Sequence, residues 1–246
     1  MSVAQQAHSR EPRRVAAIAK LCISVSEGIL SQVARAARRA GRFGIAAWFP
    51  EADGRVSPLR VTGGVLAGRR LRAPRGDAVR PSTDRVKESI FATLGPLSGA
   101  RVLDLYAGSG ALGIEALSRG AADAVFVERA ARALESLRRN LAELELRDRS
   151  RVLRSDARAA IRQLGRRGAC YELILMDPPY ATGEAEPAMV AVVEAGILSP
   201  GGALVLESSR RHTPGEVAGL EKLDERRYGD TVMLRFRNCI GCGGAE

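Results

Sequence analysis

The sequence predicts an α/β fold, a doubly wound parallel sheet closed by an antiparallel hairpin. Three observations predict it. After Gly99, short apolar runs alternate with amphipathic stretches of helical length, the pattern of strands joined through crossover helices. A glycine-rich turn separates the first such run from the first helix, as in ligand-binding α/β sheets. The last two β-like runs flank Gly229-Asp230, a hairpin signal.

The elements follow in chain order. Residues 1–60 read as a separate basic N-terminal extension. Val15, Ile18, Cys22, Val25, Ile29 and Val33 keep a three-four spacing, which predicts an amphipathic helix. Arg35, Arg38 and Arg39 crowd its end, and the Gly-, Pro- and polar-rich stretch 41–60 reads as a linker. From Val61, "VTGGVLAGRRLRAP" predicts a short arginine-rich hairpin. "RPSTDRVKESIFATL" then opens a helix that Ser82 or Thr83 can cap, with Val86, Ile90, Phe91 and Leu94 on its apolar face. Strands are expected at Val102–Tyr106, Ala124–Val127, Arg151–Arg154, Leu173–Met176 and Ala203–Leu206. The helices between them are expected at 111–119, 130–144, 157–164 and 185–195. The domain so defined runs over 61–238, and 239–246 is a short tail.

Composition narrows the class. The 246 residues are 46% apolar, enough for one sizeable core, and no run reaches the length of a membrane helix. No secretory signal is expected. The formal charge is +10; residues 1–60 hold ten Lys/Arg against four Asp/Glu, the remainder 28 against 24. A basic chain suits a polyanion such as nucleic acid. Cys22, Cys170, Cys239 and Cys242 have no disulfide-framework spacing, and the single C-x-x-C lacks a second pair. A reducing cytoplasm and no metal are expected. Because 1–60 is Arg-rich and poor in acids, an organelle-targeting segment is the alternative.

The loop after the first strand, "DLYAGSGALG", contains G-x-G-x-x-G at Gly108, Gly110 and Gly113, with Glu128 twenty residues beyond Gly108. This leaves a dinucleotide and S-adenosylmethionine (SAM) both open. Asp104 discriminates between them. A carboxylate beside the loop disfavours a pyrophosphate, whereas SAM carries an ammonium and a sulfonium and no phosphate. Ala107, Gly108 and Gly110 are then the loop positions that hold the cofactor. Glu128 accepts from the ribose hydroxyls, and Asp156 accepts from the adenine amine or caps the next helix.

The stretch "LMDPPY" ends the fourth strand, where ligands of open α/β sheets bind. Two prolines there fix the direction of a carbonyl and remove competing N–H groups. An exocyclic base amine is a poor nucleophile because its lone pair is delocalised into the ring. Asp177 and the Pro178 carbonyl can each accept one amine hydrogen and aim that lone pair. Tyr180 offers a stacking face worth about 1–3 kcal/mol for a base.

These residues resemble the SAM-dependent N-methyltransferases with an (Asp/Asn)-Pro-Pro-Tyr motif, and more closely the RsmD family, which methylates N2 of a guanine in 16S ribosomal RNA. The resemblance rests on "VTGGVLAGRRL", "RPSTDRVKESIF", "VLDLYAGSGALGIEALSRGA", "VFVE", "LMDPPY" and "YGDT", spanning about 61–237. It implies a Rossmann-like class I SAM-dependent methyltransferase fold, a doubly wound seven-strand sheet with the last strand antiparallel. It also implies that Arg80 to Arg85, with Thr83 on the cofactor, border the pocket, and that the substrate is 16S rRNA within an assembling small ribosomal subunit. The enzyme is expected to act as a monomer.

Arg69, Arg70, Arg72, Arg80 and Arg85 are the expected RNA contacts; Arg69, Arg70 and Arg72, with Arg75, can equally form a solvated basic face. Three rival functions remain open on the motifs. A DNA base amino-methyltransferase would use the same Asp177 and Tyr180. An NAD-dependent dehydrogenase is disfavoured by Asp104. A non-catalytic RNA-binding assembly factor would leave the intact acids without a task.

Overall fold

The computed structural model describes residues 59–74, 84–179 and 183–240. The expected helix over 15–33, the tail beyond Ile240, Cys22, Arg75, Arg80, Thr83 and Tyr180 lie outside them. Helix α1 spans Asp84–Leu94, and then strands and helices alternate. They are β1 Arg101–Leu105, α2 Ala111–Ser118, β2 Asp123–Glu128, α3 Ala131–Glu143, β3 Ser150–Arg154, α4 Ala157–Gly165, β4 Tyr171–Met176, α5 Ala185–Glu194 and β5 Leu198–Ser209. β6 Leu220–Tyr228 and β7 Thr231–Asn238 close the chain as a hairpin.

The seven strands lie in the order β3-β2-β1-β4-β5-β7-β6, and only β7 runs against the rest. The chain leaves β1 toward β2 on one side and returns as β4 on the other, which makes the β1/β4 junction the switch point of the sheet. Alternation along each strand sorts its side chains to two cores. Val102, Leu173, Leu175, Val205 and Met233 pack toward α1, α2 and α3, while Leu103, Leu105, Ile174, Met176, Leu204 and Leu206 pack toward α4 and α5. Helical spacing does the same for the covering layer. α3 buries Ala133, Leu134, Leu137 and Leu141, and α4 buries Ala157, Ala160, Ile161 and Leu164.

The segment expected as a hairpin over 61–74 pairs antiparallel through one bridge, Arg60 to Arg70, with Val61 donating to the Arg69 carbonyl at 2.9 Å. Its tip is a single 3-10 turn, Gly64–Leu66, and not a pair of strands. The tip is shaped by docking. A Cβ on Gly64 would stand 2.0 Å from the Ser118 carbonyl oxygen, and one on Gly63 2.2 Å from Arg119 Nη2. Fully buried Glu115 on α2 locks the contact, accepting from the Thr62 amide at 2.7 Å, the Thr62 hydroxyl at 2.8 Å and Arg119 Nε at 2.7 Å. Buried Lys87 joins α1 to the same segment by donating to the Arg60 carbonyl.

Candidate active site at the carboxyl ends of the strands

β1 ends at Asp104-Leu105, and the chain then bends sharply at Tyr106, whose φ of +62° is uncommon for a residue with a side chain. The Ala107 amide donates to the Val127 carbonyl at 3.0 Å, holding the turn against β2. Gly110 starts α2 at φ +85°. Gly113 lets the helix approach the sheet: a Cβ there would lie 2.3 Å from the Phe126 ring and 2.9 Å from the Asp104 carboxylate.

Asp104 is buried on the α1–α3 face and accepts the Gly113 amide at 2.9 Å. Burial pushes its carboxyl up to about 7. The Gly113 hydrogen bond opposes the rise, and the nearby Glu128 charge adds to it. A cation beside it would favour the ionised form. Glu128 holds the loop from the other side, taking the Gly108 amide at 2.9 Å on one oxygen and the Ala130 amide at 2.7 Å on the other. A carboxylate offers about four acceptor sites, so capacity for ribose hydroxyls remains. Asp156 caps α4, accepting the Ala159 amide at 3.2 Å, so the capping role considered for it is present in the fold.

Asp177 follows β4 directly. Burial first, then the charges of Glu207 and Asp104, raise its carboxyl well above the usual carboxylate range. Pro178 is buried and Pro179 exposed. A cavity of about 150 Å³ is lined by Tyr106, Glu128, Arg129, Asp156, Asp177 and Pro179, among others. The acidic bend after β4 and the acids after β2 and β3 thus face one space. A larger groove of about 900 Å³ runs along β6 beneath residues 213–219 and contains none of the expected site residues.

The arginines are divided. Arg72 is bound to Glu143 at 2.7 Å, and Arg69 donates to the Glu143 carbonyl at 3.0 Å, so both fasten the N-terminal segment to α3. Arg69, Arg70, Arg72 and Arg85 are all exposed. Among the described residues no group of histidine, cysteine and carboxylate side chains could hold a metal ion, and no helix is long and apolar enough to cross a membrane.

Four residues at this end of the sheet were not singled out from sequence. Tyr106 lines the cavity. Burial raises its hydroxyl first, helped by the charges of Glu184 and Asp156, and Glu184 lies 3.8 Å from Arg129. Glu207 is 3% exposed near the end of β5, where Met176 pairs with Leu206 and the next residues are Asp177 and Glu207. Its signal was present in "LVLES", an acid closing an apolar strand just as Asp177 does. Arg210 and Arg211 are exposed on the loop after β5.

Comparison with known proteins follows the same outline. Residues 59–237 match the family model described as "Conserved hypothetical protein 95". The Bacillus subtilis protein named "Putative rRNA methyltransferase YlbH" is 40% identical over 73% of this chain and 98% of its own length. Ribosomal RNA small subunit methyltransferase D of Escherichia coli K12 is 37% identical over 72% of this chain and 88% of its own. The solved structure of Escherichia coli yhhF superposes with a TM-score of 0.66 at 34% identity, covering 73% of this chain and 97% of that one. The fold is Rossmann-like, of the SAM-dependent methyltransferase type.

Proposed function

Since this chain belongs to the RsmD family, described by its model as Conserved hypothetical protein 95, we propose that it methylates the exocyclic N2 amine of a guanine in 16S rRNA of the small ribosomal subunit, with SAM as donor. Its relatives' names support an rRNA methyltransferase; the base, the atom and the donor are the present reading. The observation that carries it is the shared cavity: Asp177 and Pro179 line the same space as Glu128 and Asp156.

The donor set fits SAM. Glu128 at the end of β2, Asp177 after β4 and Asp156 at the cap of α4 line the cavity, while Asp104 is buried at the end of β1 and does not line it; this acidic set suits a ligand with a sulfonium, an ammonium and ribose hydroxyls and opposes a pyrophosphate. Glu128 would take the ribose hydroxyls and Asp156 the adenine amine, with Thr83 at the border; Asp104, Ala107, Gly108 and Gly110 are not among the lining residues and would act from the glycine loop and the acid behind it, toward the positive end. When bound, SAM supplies an electrophilic methyl group on a positively charged sulphur.

The chain's own part is positioning. Asp177 and the Pro178 carbonyl accept the two N2 hydrogens, which turns the nitrogen lone pair toward the cavity and restricts the encounter to a productive orientation. Tyr180 stacks on the base. As N2 gains a carbon bond, its hydrogens become acidic, and one leaves to Asp177 or to water. The raised Asp177 carboxyl fits a group that can take a proton at the end of the reaction. The reaction so written requires no metal. Arg70, Arg80 and Arg85, with Arg210 and Arg211, supply positive charge for RNA phosphates. The protein acts as a monomer in the cytoplasm.

The test is to incubate the protein with labelled SAM and unmodified small subunits and to map the product by mass spectrometry. The expected result is one N2-methylguanine in 16S rRNA. Label on DNA, or none on RNA, refutes the reading.

A further inference from the structure

We infer that Glu207 reads the N1–H of the target base, and that this contact, not the Asp-Pro-Pro-Tyr bend, makes the site select guanine. The inference rests on the methyl-transfer reading above.

The bend alone cannot choose a base. Asp177 and the Pro178 carbonyl are both acceptors, and any exocyclic amine, on guanine, adenine or cytosine, presents the two hydrogens they need. What distinguishes guanine is the neighbouring ring nitrogen. Beside its amine, guanine carries an N1–H donor, whereas the ring nitrogens next to the amines of adenine and cytosine are acceptors. A guanine-selective site therefore needs one more acceptor next to the one that holds the amine.

Glu207 stands in that place. β4 and β5 are parallel neighbours paired through Ile174–Leu204, Leu175–Val205 and Met176–Leu206, so the next step sets Asp177 beside Glu207. Alternation puts both on one face. Leu175 and Val205 belong to the core under α1, α2 and α3, and Asp177 and Glu207 lie two residues further along the same strands. The closeness is also felt electrostatically, since Glu207 contributes to the rise of the Asp177 carboxyl. The cofactor cavity is lined from the ends of β1, β2, β3 and β4, which leaves the β5 side of Asp177 for the base. Glu207 is 3% exposed, so this acceptor is screened from bulk water and forms the contact only with a base seated at Asp177. With about four acceptor sites on its two oxygens, it can take a base donor alongside a protein partner. A buried acceptor facing an acceptor, as adenine or cytosine would present, leaves both without hydrogens, and sites built on a substrate N–H reject such analogues strongly.

The test compares wild type with Glu207→Gln on reconstituted small subunits in which the mapped target guanine is kept or replaced by 2-aminopurine. The analogue retains the N2 amine but has an acceptor at N1. Wild type is expected to lose at least about 10²-fold in kcat/KM on 2-aminopurine. In Glu207→Gln the side-chain amide can donate to N1, so the guanine preference should shrink by about tenfold or more, or invert. SAM affinity by calorimetry should remain within about twofold, because Glu207 is not among the residues lining the cofactor cavity. Equal guanine-to-2-aminopurine ratios in the two proteins overturn the assignment. Should the variant fail to fold, a wild-type ratio near one overturns it equally. Absence of transfer to guanine in natural subunits would instead sink the methyl-transfer reading, and this inference with it.

Discussion

Replacing Asp104 by Asn should change how stability depends on pH. Asp104 is 1% exposed, and its carboxyl rises from 3.8 to about 7. In the unfolded chain it ionises near 3.8; in the fold it keeps its proton until about 7. A raised folded value gives a contribution that is full below the unfolded value and is lost as pH climbs to the folded one. At 1.36 kcal/mol per tenfold in proton affinity, the rise from 3.8 to about 7 corresponds to about 4 kcal/mol lost between pH 4 and 7, with no further loss above. Asn keeps an oxygen for the Gly113 amide, which Asp104 accepts at 2.9 Å, and does not ionise. The variant should therefore gain on wild type by about 4 kcal/mol from pH 4 to 7, after which the two curves run level. Any fixed cost of the amide group shifts the whole difference but not its slope. The measurement is urea unfolding by circular dichroism, without cofactor, at half-unit steps from pH 4 to 8.5. Parallel curves across that range would refute the reasoning.

The other expectations can be stated together. Asp177→Ala should abolish methyl transfer while leaving SAM affinity within a few-fold, measured by single-turnover transfer and calorimetry; normal turnover would remove Asp177 from the mechanism. In wild type, single-turnover rates should increase with pH as the raised Asp177 carboxyl ionises, at a pH above the usual carboxylate range, and becomes a full acceptor for the amine; a flat profile in which chemistry is rate-limiting would contradict that role. Gly113→Ala should cost about 1–3 kcal/mol and weaken SAM binding, because the added Cβ would stand 2.3 Å from the Phe126 ring; thermal melting and calorimetry would show both. Reversing Arg210 and Arg211 to Glu should lower affinity for small subunits and flatten its salt dependence without altering SAM binding. The same change at Arg72 should also lower folding stability slightly, since it sets a carboxylate beside Glu143, the 2.7 Å partner in this solvent-exposed pair.

Local pattern made much of the molecule legible. Strand and helix positions follow from periodicity, which a few consecutive residues express in full, and each expected strand from Val102 to Leu206 lies within an observed one save for Tyr106, the residue that turns out of β1. The glycine loop and the "LMDPPY" bend were readable for the same reason, because glycine and proline restrict the backbone where they stand. The N-terminal hairpin was less so: its tip is a 3-10 turn because Gly63 and Gly64 press against α2, a partner some 50 residues away. The arginines show the same divide. Nothing in "AGRRLR" says that Arg69 and Arg72, exposed like Arg70, reach Glu143 on α3.

By itself the sequence determined the alternating fold, the loop that opens α2 and the rigid acid that ends β4. Each follows from backbone geometry within a handful of residues, so no distant contact was needed to infer it. Only the tertiary structure decided which acids meet. Asp104, Asp177 and Glu207 come from β1, β4 and β5, and they share one end and one face because the sheet places those strands side by side in register. That order is set by packing between segments far apart in the chain. The raised carboxyls of Asp104 and Asp177 exist only because the same packing removes water from charges that the linear sequence keeps apart.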